Sequence, residues 1–129
     1  MIGVVQGKIW GITSRLFSKN NVEVHRIEAN RGGYCSKHSH SSKWNQFYVE
    51  SGKLKVLIYK GDEIVDSTVL TNGMMTSVAP NEIHQFEALE DTIAYEIYWA
   101  ELQEVDIDRV DTGGMKNQSD CVESDDLTE

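Results

Sequence analysis

Apolar and polar residues alternate over short stretches of this chain, and glycine and asparagine fill the breaks between them. Lys8 to Phe17 (KIWGITSRLF) mixes β-branched and aromatic residues around Gly11, which predicts an early strand that bends. Val22 to Ala29 then alternates, with Val22, Val24 and Arg26 on one face and Glu23, His25 and Ile27 on the other. Further strands are predicted over Tyr34 to His40, Trp44 to Glu50, Gly52 to Tyr59, Glu63 to Leu70, Met74 to Val78, Ile83 to Leu89 and Thr92 to Glu101. Turn clusters separate them, and Asn72-Gly73 carries a strong hairpin signal. No amphipathic helix interrupts the series. Short strands at this spacing predict a closed or sandwiched all-β barrel.

Composition narrows the picture only at its edges. A chain of 129 residues is one domain by length and long enough to bury a core without staples. No apolar run reaches the roughly 18 residues a membrane helix needs, and Cys35 and Cys121 are the only cysteines, so a cytoplasmic protein with no membrane partner and no disulfide framework is expected. Cys35 is read as a small buried apolar residue. The formal net charge is −9, unevenly divided: residues 1–60 hold ten Lys and Arg against three Glu, the remainder two against eighteen acids. The basic residues are spread along strands, and an acidic protein repels phosphate backbones, so no nucleic-acid partner is expected. The barrel is assigned to residues 1–114. Residues 115–129 are polar and acidic and are expected to form a disordered tail. Leu102 to Val110 is ambiguous between a last strand and a helical turn.

The candidate chemistry sits between Gly32 and Gly52. His38 and His40 are two residues apart, so on a strand both imidazoles project from one face, and His84 follows a turn containing Pro80. Three neutral imidazoles suit one divalent transition metal, Zn, Mn, Fe, Ni or Co, with coordination sites left open. His25 lacks such a context and is read as structural or surface.

These residues carry a family resemblance. Gly33 to Gly52 resembles the first cupin motif, a Gly followed by His-x-His and an apolar strand ending at Gly, and Gly73 to Phe86 (GMMTSVAPNEIHQF) resembles the second. The resemblance implies a double-stranded β-helix, the cupin jelly-roll barrel, with a metal near its mouth. Within cupins the chain is most similar to the C-terminal domain of type II phosphomannose isomerases, through Trp10-Gly11, Val24-His25-Arg26-Ile27, Ser36, Lys43 and the acidic run Val105 to Arg109. The departure is at the fourth metal position. Seven residues before Gly52, where the family carries Glu, this chain has Asn45. Strand parity favours Asn45 over Gln46, because Asn45 shares its face with Phe47 and Val49. Two roles are open to it: a direct ligand through its amide oxygen, or a hydrogen-bond partner of a metal-bound water.

Lys43 and Arg26 are candidates for binding an anionic group of the ligand, and Glu96 is a candidate general base if it points inward. Tyr95, Trp99 and Phe86 are assigned to the core. The expected function is that of a metal-binding cupin, mannose-6-phosphate isomerase-like, that takes a sugar phosphate or similar small anionic carbohydrate. A three-histidine non-haem iron dioxygenase and a non-catalytic ligand-binding cupin are the alternatives. Apolar and aromatic strands in so small a barrel also imply a homodimer.

Overall fold

The computed structural model describes residues 4–100 together with Gly113 and Met115. The acidic run Val105 to Arg109, the ambiguous Leu102 to Val110 and residues 116–129 of the tail lie outside the described residues. The chain forms β1 (Val4–Lys8), β2 (Gly11–Lys19), β3 (Val22–Ala29), β4 (Trp44–Ser51), β5 (Leu54–Lys60), β6 (Glu63–Leu70), β7 (Met75–Val78), β8 (Ile83–Ala88) and β9 (Thr92–Trp99). They make two antiparallel sheets, in the orders β1-β2-β3-β9-β4-β7 and β6-β5-β8. The predicted all-β jelly roll is what the chain adopts. Among the described residues no helix is long and apolar enough to cross a membrane.

Turn chemistry explains most of the strand boundaries, and two of them differ from expectation. The early strand is a hairpin: Ile9 and Trp10 reverse the chain, and Gly11 pairs with both Lys8 and Ala29. Gly11 lies at φ +155°, where a Cβ would meet the Glu28 carbonyl oxygen, so only glycine fits between the strands. Asn72-Gly73, expected to close a hairpin, instead moves the chain from one sheet to the other. The Asn72 side-chain oxygen accepts from the Gly52 N–H at 3.0 Å, and the Gly73 N–H donates to the Val49 carbonyl at 2.7 Å. The local turn signal is the same in both cases; the long-range docking onto the end of β4 decides the outcome.

Tyr34 to His40 is extended but is not a regular strand. It touches β8 through two bridges, Tyr34 to Glu87 and His38 to His84. The bridges are four residues apart on one side and three on the other, so the segment carries one extra residue, as a β-bulge does.

The core lies between the sheets at one end of the barrel, built from Ile27, Phe47, Val49, Leu54, Val56, Leu70, Val78, Phe86, Ala88 and Ala94. Each inward-facing row runs from apolar to polar in the same spatial direction. On β4 the order is Val49, Phe47, Asn45; on β8 it is Ala88, Phe86, His84; on β9 it is Ala94, Glu96, Tyr98; on β3 it is Ile27, then His25. Phe47 lies beneath His84 and against Phe86, with ring centroids 6.2 and 6.1 Å away. A packed floor therefore supports a polar upper layer.

The parity expected for β9 is reversed. Thr92, Ala94 and Glu96 are buried, whereas Ile93, Tyr95, Ile97 and Trp99 face outward and are only partly covered. Tyr95 and Trp99 therefore lie outside the core, and Phe86 lies inside it. The outer face of the six-stranded sheet is more apolar than the inner face beside the site, so hydrophobicity alone points β9 the wrong way.

Candidate metal centre

The bulged segment and β8 bring three imidazoles together. The ring centroids of His38 and His84 are 4.5 Å apart, those of His38 and His40 5.0 Å, and those of His40 and His84 5.4 Å. One ring nitrogen from each lies within 4.8 Å of the others. Nitrogens on a tetrahedral ion at 2.0–2.1 Å sit about 3.4 Å apart, so small side-chain rotations close the set. Backbone carbonyls select the free nitrogens. His38 Nδ1 donates to the Ser36 carbonyl at 2.8 Å and His84 Nδ1 to the Glu82 carbonyl at 3.0 Å, which leaves both Nε2 atoms as acceptors. His40 Nε2 is buried without a hydrogen-bond partner.

An orphaned buried nitrogen beside two others whose N–H groups are turned away fits a cation, since such an atom otherwise bears an uncompensated desolvation cost. Burial, with the neighbouring His38 and His84, pushes the His40 imidazole down to about 4. Burial lowers His84 as well. Both rings are therefore neutral near pH 7, the state a metal ligand requires.

Glu96 points into the barrel, at 8% exposure. Its Oε2 accepts from the Tyr98 hydroxyl at 2.9 Å and from Asn45 Nδ2 at 3.2 Å. Asn45 is fully buried beside His84, and the atom it turns toward His84 Nε2, at 3.5 Å, is again Nδ2. Burial and the adjacent Glu96 push the Tyr98 phenol upward, so it stays protonated.

Of the two cations expected at the ligand, Arg26 stands elsewhere, and Lys43 is near enough to His40 that its charge helps to lower that imidazole. Arg26 is opposite Tyr95 on the outward side of β3 and pairs with Glu28 at 2.7 Å, away from the three histidines. Lys43 lies behind the Tyr98 ring, 5.7 Å from its centroid, in a small hollow shared with Glu23. A cavity of about 860 Å³ opens beside His38 and Glu96, and the cations on its wall are Lys8 and Arg31. Neither side chain forms an ion pair among the described residues, although the Arg31 backbone N–H donates to Asp91 Oδ1 at 2.8 Å.

No family model matches the chain, and no curated protein matches it. Solved structures do. KdgF from Halomonas sp. superposes with a TM-score of 0.66 at 16% identity, over 77% of this chain and 89% of KdgF. A cupin superfamily protein from Desulfitobacterium hafniense superposes with a TM-score of 0.62 at 10% identity, over 76% of this chain and 84% of that one. The fold is the cupin fold. The capsular polysaccharide assembling protein CapF from Staphylococcus aureus also matches, with a TM-score of 0.64 and 20% identity; 77% of this chain corresponds to 28% of CapF. At these identities the likeness is one of architecture.

Within the cupin barrel, His25, Tyr98, Lys8 and Arg31 are the site residues that sequence reasoning missed. His25 lies opposite Glu96 in the ladder, with its ring 5.6 Å from that of Tyr98, and it lines the cavity. The available signal was parity: His25 shares its face with Ile27 and Ala29, both buried. Lys8 and Arg31 carried no such signal, because the β1–β2 hairpin and the Asn30-Arg31 turn meet only in the fold. Cys35 is buried, accepts the Phe86 N–H at 3.2 Å on its sulfur, and has its thiol pushed up to about 12 by burial. It is a packing residue without nucleophilic character at neutral pH.

Proposed function

We propose that the chain is a metal-dependent cupin enzyme that moves a proton beside a carbonyl in a small anionic carbohydrate, with sugar phosphates as the first candidates and phosphomannose isomerase as the nearest model. The observation that carries this reading is the convergence of three imidazoles, one ring nitrogen of each within 4.8 Å of the others, with His38 of that set and the buried Glu96 carboxylate on the wall of one cavity. His38, His40 and His84 would hold the ion, which when bound would supply a Lewis acid for a carbonyl oxygen. Glu96 takes and returns the proton. Its carboxylate is fixed by Tyr98 and Asn45, so it needs no reorientation between the two transfers. Arg31 and Lys8 attract the anionic end of the ligand, and their unpaired charge in a protein of net charge −9 makes them a local exception to its repulsion of anions.

A panel of hexose phosphates assayed with Zn, Mn, Co, Ni and Fe(II) is expected to give turnover above the metal-only blank. Glu96→Gln should lower kcat by about 10²–10⁴-fold. Arg31→Ala should act mainly on KM, and Arg26→Ala on neither constant. Turnover at the blank level across the panel would sink the enzyme reading, and tight binding without turnover would replace it with a ligand-binding cupin. One observation favours an iron dioxygenase as the second reading: the amide nitrogen of Asn45 faces His84, so the protein offers three neutral imidazoles and no anionic ligand. Oxygen consumption with Fe(II) and diketone or thiol substrates tests it.

The outward face of the larger sheet supports a homodimer. Trp44 stacks on Trp99 with ring centroids 6.0 Å apart, Tyr48 lies against Tyr95, and the exposed Phe17 stands nearby on β2. Light scattering after size exclusion should give the mass of two chains, and Ile97→Glu should reduce it to one. A wild-type monomer at high concentration would rule the dimer out.

A further inference from the structure

The amide of Asn45 can serve the ion or the carboxylate, and its surroundings choose between them. The side chain is fully buried, with Nδ2 3.2 Å from Glu96 Oε2 and 3.5 Å from His84 Nε2, while Oδ1 has no hydrogen-bond partner. Amide oxygen and nitrogen are told apart by what they face. Turning the amide over would set Oδ1 against Glu96 Oε2, acceptor against acceptor, so the carboxylate selects the nitrogen. An amide nitrogen has no lone pair to give a cation. The unpaired Oδ1 shows that Glu96, and not hydrogen bonding at the oxygen, sets the orientation.

The backbone ladder fixes this arrangement. Asn45 is opposite Tyr98, and Phe47 opposite Glu96, on the paired strands β4 and β9. The Tyr98 hydroxyl donates to the same Oε2 at 2.9 Å. Two donors from adjacent strands thus meet on one oxygen, and Oε1 makes no hydrogen bond among the described residues.

We propose that Asn45 is a positioning residue for Glu96 and not a ligand of the ion: with Tyr98 it clamps Oε2 and leaves Oε1 turned to the cavity as the oxygen that meets the substrate. The position where cupins of this pattern carry a metal-binding Glu is thereby used to hold a carboxylate supplied by the neighbouring strand. The inference uses the proton-transfer reading for the role of Oε1, but the clamp itself is a property of the metal-free chain.

The full chain with ¹³C-labelled glutamate carboxyls, free of metal, tests the clamp. The resonance lost in Glu96→Gln belongs to Glu96. At pH 7 its chemical shift should move in Asn45→Ala, beyond any change at the other glutamates, because a hydrogen bond to the carboxylate is removed. Tyr98→Phe should move it the same way, and it keeps the question open to measurement if Asn45→Ala does not fold. In a second arm, Co²⁺ should bind Asn45→Ala within about threefold of wild type, with an unchanged visible absorption spectrum, whereas loss of a true ligand costs far more. An unmoved Glu96 resonance in both variants, or a loss of Co²⁺ affinity beyond tenfold with an altered spectrum in Asn45→Ala, would overturn the proposal. Absence of Co²⁺ binding by wild type would count against the metal reading of the site and leave the clamp to the carboxyl resonance.

Discussion

His38→Ala should weaken binding of Co²⁺ or Zn²⁺ by more than about 100-fold, since residues that only hold a ligand in place are worth about 10–100-fold and His38 would bind the ion itself. The variant should still fold. His38 is only partly buried and belongs to the bulged segment, not to the core beneath it. The two effects separate in thermal melts. Saturating metal at a thousand times its dissociation constant stabilises a native site by about 4 kcal/mol, so wild type should melt several degrees higher with metal than without it. In His38→Ala that increment should vanish while the metal-free melting temperature stays near wild type.

The pH dependence carries the same information with a definite sign. His40 is held down to about 4 by burial and its neighbours, below its ordinary 6.5. The folded chain therefore holds it neutral, and the associated stability is complete above about pH 6.5 and is lost as pH falls toward 4. Proton competition at His40 is absent at neutral pH, so metal retained at pH 7 by wild type and lost in His38→Ala reflects the missing imidazole. Equal metal occupancy of the two proteins would remove the basis for the three-histidine centre.

Much of this architecture was legible in the sequence because β periodicity and turn chemistry are local. Val22 to Ala29 and Glu63 to Leu70 have the predicted bounds, and the pair of histidines at spacing two does share one side of its segment. What the sequence could not show depends on which face of a strand is inside. For β4 the apolar face is the inner one, and Asn45 was placed correctly beside Phe47 and Val49. For β9 the same rule fails, because the inner face is polar where it lines the cavity while the outer face carries Ile93, Tyr95, Ile97 and Trp99. A functional cavity and an apolar outer surface invert the usual pattern together, and alternation alone cannot distinguish that from a core strand. Arg26 was misplaced for a related reason. Arg26 lies on β3 one residue from His25, and that single step moves it from the cavity to the outside.

The end of the first motif offers the largest expected change in stability. Gly52 closes β4 at φ +106°, and a Cβ there would lie 2.4 Å from the Asp91 carbonyl oxygen, 2.6 Å from Thr92 Oγ1 and 2.7 Å from Thr92 Cα. Two of those three atoms are backbone at the start of β9, so the obstruction cannot rotate away. Gly52→Ala should cost about 3 kcal/mol or more, from backbone strain and steric overlap together. Gly61 is the control that separates them. It also has positive φ, +64°, in the two-residue turn between β5 and β6, but a Cβ there meets nothing within 4 Å. Gly61→Ala should cost about 1 kcal/mol, since the left-handed strain is partly offset by a stiffer unfolded chain. Urea midpoints at unchanged slope would measure both, against a total stability of about 5–15 kcal/mol for a domain of this size. Equal costs would mean that β4 does not end against Asp91 and Thr92. A larger cost at Gly52 would tie the glycine that ends the histidine motif to the junction of β4 and β9, the same two strands that carry Asn45, Tyr98 and Glu96 to the site.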